Sequence, residues 1–366
     1  MDGRRIRTAL LALAFIGAAV VTGPRAADGA HTAGVVTALG TPGEVRFSAA
    51  GDYGAGENTR AVVEKIAELS PDLNLALGDL SYGTAGQEQA WCDLVLAGVG
   101  EGFPFQLLAG NHESDGLNGN INDFAACLPN QLPGLVGVYG RQWYVDVPQE
   151  APLVRYIALS PGLNFPDRAA TYPAGSARYA WTSAAVDGAR ADGVPWVVVA
   201  MHKPCVSMGR YDCDSGADLH NLLLDRRVDL VLNGHEHLYQ RTGQLALGPG
   251  CPTMVPGTYD ADCLVDRDGT LTKGAGTVFA TVGTGGTTLR DLVTSDPEAP
   301  YFVAASGLAT ATWGVLDVRV TADSLTAGFV RAAGGTFTDT FTIGSTRPVP
   351  SSPRPRSSRL SPDPPV

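Results

Sequence analysis

Residues 230–237 read Leu-Val-Leu-Asn-Gly-His-Glu-His, an apolar run that ends in two imidazoles at spacing two. In extended backbone, residues two apart project to one side, so His235 and His237 are expected to face one site. The same design recurs in four other places. Residues 45–52 end in Gly51-Asp52, and residues 73–79 in Gly78-Asp79, with Tyr82 three positions on. Residues 105–113 end in Gly110-Asn111-His112-Glu113, and residues 196–202 end in His202. Asp52, Asp79, Tyr82, Asn111, His202, His235 and His237 thus form a set of candidate ligands with mixed oxygen and nitrogen donors. That is too many for one tetrahedral zinc and suits two ions sharing a bridge, typically about 3.5–4 Å apart. Such a pair holds the attacking and leaving oxygens of an in-line displacement at phosphorus and supplies hydroxide near neutral pH. Carboxylate, imidazole and phenolate donors together point to iron, manganese or zinc rather than calcium. The alternative is a hydrogen-bonded polar cluster without metal, and the repeated placement speaks against it.

Positioning these side chains is a task for an open α/β sheet, where ligands collect beyond the carboxyl ends of strands. The helix expected over residues 57–69 carries Val62, Val63, Ile66 and Leu69 as an apolar stripe and separates two strand-like runs, a βαβ unit with a parallel sheet. Further helices are expected over residues 87–97, 176–191 and 219–227, with His220 as a surface residue of the last, and a further strand over residues 155–159. Residues 112–141 read as a long surface loop bordering the site, and residues 247–274 as a Gly/Pro-rich insertion. The runs 276–282, 312–318, 324–332 and 336–343 alternate in polarity and are expected to form an antiparallel layer. Thr284-Gly285-Gly286 reads as a turn at a strand end, since no GxxxxGK[ST] phosphate loop is present.

The ends of the chain differ from its body. Arg4, Arg5 and Arg7 precede an apolar stretch over residues 9–21 and a small-residue boundary, so residues 1–27 read as a secretory signal peptide, too short to span a membrane stably. Residues 28–43 form a Gly/Ala/Thr-rich arm, in which His31 carries no assigned role, and residues 345–366, with seven prolines, read as a disordered tail. The catalytic domain is expected over residues 44–344. Export to an oxidising space makes disulfides the expected state of the six cysteines, with sequence neighbours paired: Cys92–Cys127, Cys205–Cys213 and Cys251–Cys263. Buried free thiols are the alternative. The net charge of −11 disfavours nucleic acid as a partner, because a protein with that balance repels extended polyanions.

The five blocks Gly51-Asp52-Tyr53-Gly54, Gly78-Asp79-Leu80-Ser81-Tyr82, Gly110-Asn111-His112-Glu113, Met201-His202 and Gly234-His235-Glu236-His237 resemble the ordered signature of the calcineurin-like metallophosphoesterases. Tyrosine three residues after the second aspartate is similar to the purple acid phosphatase branch. The resemblance covers roughly residues 44–343. It implies a four-layer αββα sandwich, an α/β (α+β) fold of two mixed β-sheets flanked by helices. It further implies an iron(III) held by Asp52, Tyr82 and His237, a bridging Asp79, and a second ion, Fe(II), Zn(II) or Mn(II), held by Asn111, His202 and His235. His112 would contact the phosphate and protonate the leaving group. The segment after His202, Lys203-Pro204-Cys205, departs from larger members, which place histidines there.

The function so implied is a secreted acid phosphatase that hydrolyses small phosphate monoesters, with a metal-bound hydroxide as nucleophile and Asp79 and His112 as its catalytic residues. Two carboxylates, a phenolate and a hydroxide against iron(III) and a divalent ion leave one positive charge to attract the substrate dianion. A phosphodiesterase or nucleotidase with two divalent ions is the alternative within enzymes. A non-catalytic metal- or phosphate-binding surface protein is the alternative outside them.

Overall fold

The computed structural model describes residues 43–345. The proposed signal peptide, nearly all of the arm and nearly all of the tail lie outside these residues. In chain order the strands and helices of the first half are β1 (Glu44–Ala50), α1 (Glu57–Leu69), β2 (Leu73–Ala76), α2 (Glu88–Val99), β3 (Phe105–Leu107), α3 (Asn111–Ser114), α4 (Ile121–Cys127), β4 (Val136–Val138), β5 (Gln142–Val147), β6 (Val154–Leu159), β7 (Leu163–Asn164), β8 (Ala169–Ala170) and α5 (Ala177–Ala191). The second half adds β9 (Trp196–Met201), α6 (Ala217–Asp225), β10 (Leu230–Asn233), β11 (Tyr239–Thr242), β12 (Gln244–Leu245), β13 (Leu264–Asp266), β14 (Thr270–Thr272), β15 (Val278–Val282), β16 (Phe302–Ser306), β17 (Thr312–Thr321), β18 (Ser324–Gly334) and β19 (Thr340–Gly344).

Two large mixed sheets form the molecule. One has the order β14-β19-β18-β17-β1-β2-β3, the other β16-β11-β15-β10-β9-β6-β5-β4. In the first, β1, β2 and β3 run parallel, and β17 continues the sheet antiparallel to β1. In the second, β6, β9, β10 and β15 run parallel. The strands β6 and β9 are buried along their whole length, which explains their nearly unbroken apolar sequences: a parallel sheet is covered on both faces. Helix α1 packs outside the first sheet, against β17 and β18. Helix α5 covers the second, where Ala185 accepts a hydrogen bond from Arg155 of β6. The inner faces meet at Phe47 and Tyr156, whose rings pack edge to face at 5.1 Å, and where Trp196 donates to the carbonyl of Thr321. This is the expected four-layer sandwich.

Several expectations need correction. The 112–141 stretch is not one loop: it contains α3, α4 and β4, and Ile121 and Phe124 are buried in the core. The 247–274 insertion likewise contributes β14, paired parallel with β19 at the edge of the first sheet. β15 does not belong to the antiparallel layer of β17, β18 and β19; it lies between β10 and β11 in the other sheet. Its five residues are all buried, so alternation could not reveal its neighbours. His220 is not a surface residue. It is fully buried on α6 against the Phe279 ring, because a helix packed on a sheet buries a whole stripe, polar members included. All three disulfides join the expected sequence neighbours. Among the described residues, no helix is long and apolar enough to cross a membrane.

Candidate metal centre

The strands β1, β2, β3, β9 and β10 each end at one edge of the two sheets, and the candidate ligands follow directly. Close approach of those strand ends requires glycine. A Cβ on Gly110 would lie 2.0 Å from Asp79 Oδ1, and one on Gly78, itself at φ +85°, would lie 2.7 Å from the His202 ring. Beyond the strands the backbone is strained. Six non-glycine residues among those described lie in the left-handed region, with φ between 47° and 70°, and four of them are Asp52, Asp79, Tyr82 and His235. Such conformations cost of order 1–3 kcal/mol each and persist where the surroundings over-determine them, commonly at functional sites.

Donor atoms gather in two groups that share one residue. Asp79, His202 and His235 offer ligand atoms within 4.8 Å of one another, and so do Asp52, Asp79 and His237. Tyr82 joins the second group: its hydroxyl lies 3.0 Å from Asp52 Oδ1, 3.1 Å from Asp79 Oδ2 and 3.0 Å from His237 Nε2. Asn111 joins the first, with its Oδ1 3.2 Å from His202 Nε2. The seven residues singled out in the sequence therefore converge. They do so by a different route from the one expected for the histidines. Residues 235–238 are a bend rather than an extended strand, and His235 turns at φ 70° toward Asp79 while His237 turns toward Asp52.

Burial and charge prepare these groups for cations. Burial lowers His235, with the neighbouring His202 adding to the effect, and lowers His237 to about 4, so both imidazoles are neutral near pH 7. His235 Nε2 is buried without a hydrogen-bond partner. Burial, aided by Asp52 and Asp79, pushes the Tyr82 phenol far above its usual range, so a phenolate there needs a cation beside it. Burial also raises Asp52, to about 7. Burial pushes His202 down and Asp79 up, but the mutual attraction of the two outweighs it, holding His202 at about 9 and Asp79 below the usual carboxylate range. A buried orphan nitrogen, crowded carboxylates and a phenol among anions fit a pair of bound metal ions.

Ring orientation is set from behind. His202 Nδ1 lies 2.7 Å from the Leu77 carbonyl and His237 Nδ1 lies 2.9 Å from that of Thr288, which leaves each Nε2 turned inward. His112 stands outside the cluster, its Nε2 3.7 Å from Asp79 Oδ2 and its side chain 31% exposed. Its Nδ1 meets Asn118 Oδ1 at 2.7 Å.

Four contributors were not singled out in the sequence. The buried Glu113 carboxylate accepts from the backbone N–H groups of Asp79, Leu80 and Gly110 and so pins the loops of two ligands. Asn118 orients His112. Tyr211, in the loop closed by Cys205–Cys213, stacks on His235 with ring centroids 4.1 Å apart. The Arg290 guanidinium lies 5.3 Å from the centre of the Tyr211 ring and donates to the His235 carbonyl. Glu113 could have been read from its place in the Gly-Asn-His-Glu block; the other three carry no local signal. Thr284-Gly285-Gly286 is a turn at the end of β15 and borders the cluster, with Thr287 donating to the Asp52 carbonyl.

The profile of the calcineurin-like phosphoesterase family matches residues 45–239, more than half of the chain. An uncharacterised protein of Mycobacterium tuberculosis is 32% identical over 254 residues, which are 64% of this chain and 45% of that protein. Purple acid phosphatase 18 of Arabidopsis thaliana is 26% identical over 217 residues, 57% of this chain and 47% of the relative. The chain thus spans about half the length of the curated relatives it matches. In architecture it is similar to the purple acid phosphatase PPD1 from yellow lupin seeds, with a TM-score of 0.58 at 17% identity, covering 82% of this chain and 54% of that one. With the family's profile running from β1 past the second histidine of the centre, the chain belongs to the calcineurin-like phosphoesterases and is similar to the purple acid phosphatases among them.

Proposed function

We propose that this chain is an exported acid phosphatase that hydrolyses small phosphate monoesters at a dinuclear centre. The observation that carries the reading is the pair of donor groups sharing Asp79, with the Tyr82 hydroxyl against the second of them. Asp52, Tyr82 and His237 would hold iron(III), Asn111, His202 and His235 would hold Fe(II), Zn(II) or Mn(II), and Asp79 would bridge. Two metal ions, when bound, polarise the phosphoryl oxygens and acidify water at neutral or lower pH.

The protein's own groups do the rest. Asp79 and Asp52 fix the spacing of the two positions, and Glu113 fixes the loops that carry Asp79 and Asn111. His112 is placed beside Asp79 but free of the donor groups, where its Nε2 can hand a proton to the departing alkoxide. Asn118 at Nδ1 leaves Nε2 facing the substrate side. Export, the signal peptide and the choice of metals belong to this proposal.

A visible absorption spectrum of the purified protein tests it, with Tyr82→Phe as control and turnover of aryl phosphate mono- and diesters alongside. A broad charge-transfer band that vanishes in the variant, with the monoester preferred, is the expected result. An active but colourless wild type would overturn the iron assignment in favour of two divalent ions, and a preference for diesters would overturn the monoesterase assignment.

A further inference from the structure

A basic feature lies on the same edge of the sheets and has no role in the metal centre. Between the start of β5, the end of β6, the β7–β8 hairpin and the start of α5 there is a recess of about 200 Å³. Three guanidiniums line it, those of Arg141, Arg168 and Arg178, against the single carboxylate of Asp167. Asp167 binds Arg141 at 2.8 Å and Arg168 at 3.1 Å. The Arg178 guanidinium has no carboxylate within ion-pair distance among the described residues, and the one hydrogen bond it makes is to the Ala169 carbonyl. An excess of two positive charges in one recess is unusual for a chain with 37 acidic and 26 basic residues.

The recess is built rather than incidental. The Arg141 guanidinium lies over the Phe165 ring at 4.3 Å, which together with its bond to Asp167 holds it at the recess. The Phe165–Arg168 turn is closed by two backbone hydrogen bonds, 3.0 and 3.1 Å long, that fix Asp167 and Arg168. Tyr172 is buried at the floor. Its oxygen accepts from the Ser160 N–H, and its own proton has no acceptor among the described residues.

Its position relates it to the metal centre. The β6–β9 ladder ends at the pair Leu159–Met201, and the next residues are Ser160, which lines the recess, and His202. Arg141 precedes β5, one strand further out. At about 4.8 Å per strand, the recess begins with Ser160 about 5 Å from His202, and Arg141 lies two strands, about 10 Å, away. Helix α3, which bears Asn111 and His112, packs against β7 of the hairpin.

Resting on the phosphatase reading, we propose that this recess is an anion subsite that holds a second phosphate group of the substrate while the scissile phosphate lies at the metal centre. The two-strand separation between Arg141 and His202 excludes adjacent phosphates of a pyrophosphate and fits two phosphates at opposite ends of a sugar-sized group. Planar guanidiniums suit a phosphate oxygen pair, and three of them with a phenol donor give it several charge-assisted hydrogen bonds.

Two measurements on the metal-loaded full chain decide this. The first compares KM for glucose 1,6-bisphosphate and glucose 6-phosphate in wild type and in the double variant Arg168→Gln, Arg178→Gln. Loss of charge-assisted contacts corresponds to a factor of about ten or more. The wild-type KM for the bisphosphate should therefore be lower than for the monophosphate by about that factor, and the ratio should fall toward one in the variant. A wild-type ratio near one, or a ratio the variant keeps, overturns the subsite. The second follows the arginine Nε–H resonances during titration with inorganic phosphate. Saturable shifts of signals that disappear in the variant are expected; their absence overturns the anion site whatever the kinetics show. Failure to hydrolyse either ester would overturn the phosphatase reading and the substrate half of this proposal, while the titration would still decide whether the recess binds phosphate.

Discussion

His112 and Asp79 share one corner of the centre but are placed for different work. Asp79 is buried and belongs to both donor groups, whereas the His112 ring is partly exposed, held at Nδ1 by Asn118 and packed against the Tyr82 ring. His112→Ala should therefore retain both metals, measured by elemental analysis, and slow turnover by about 10²–10⁴-fold, the usual range for a lost proton donor. Metal loss in that variant would move His112 into the coordination sphere. Asn118→Ala should show a weaker version of the same defect with both metals retained, since the ring would lose its orientation but not its chemistry.

At the level of elements, the sharp ends of β2 and β3 are what bring Asp79 and Asn111 together. Gly110 has an ordinary extended backbone, so only the space at its Cα matters. A methyl there would meet the Asp79 carboxylate and its backbone nitrogen. Gly110→Ala should displace Asp79 by a fraction of an ångström to an ångström and reduce turnover by about 10²-fold or more, without unfolding the chain. Circular dichroism and metal content, measured beside activity, separate displacement from misfolding. Helix α6 makes a second, independent prediction. His220 is buried on it with neither ring nitrogen hydrogen-bonded, and burial lowers it to about 4. In the unfolded chain it titrates near its ordinary value, so between the two values the unfolded state binds the extra proton. Stability is therefore full above about pH 6.5 and declines as pH falls toward 4, by up to about 3 kcal/mol from this residue. His220→Leu should flatten that part of the stability–pH curve in urea titrations. An unchanged acid slope would show that His220 does not drive it.

For the whole molecule, the centre joins two sheets that otherwise meet through apolar faces. Asp52, Asp79 and Asn111 come from the first sheet, and His202, His235 and His237 from the second. Metal bound at that seam stabilises the folded chain alone, by about 2.7 kcal/mol per site at a hundredfold excess over Kd. Chelation should lower the melting temperature by about 5 °C or more, and metal restored after dialysis should raise it again. A melting temperature indifferent to chelator would argue that the donor groups do not hold metal across the seam.

What the sequence determined by itself was the set of candidate donors and the type of fold. Apolar runs that stop at Gly-Asp, Gly-Asn-His or Gly-His are local signals, because a buried strand must be apolar and a ligand must follow its end. The same local logic located α1, α5 and β9 and placed each disulfide between cysteines close along the chain. Whatever depends on which surfaces meet was decided only by tertiary structure. β15 is as apolar as β10 and discloses nothing of its neighbours. His220 looks like any polar residue of an amphipathic helix until α6 settles on its sheet. Tyr211 and Arg290 reach the centre from loops far along the chain, and Asn118 from the bend six residues past His112. Arg141, Arg168 and Arg178 are scattered charges until a strand end, a hairpin and the start of α5 place them around a single recess. Residue type and spacing encode what a chain is able to do, and long-range packing selects which distant side chains stand beside it when it does so.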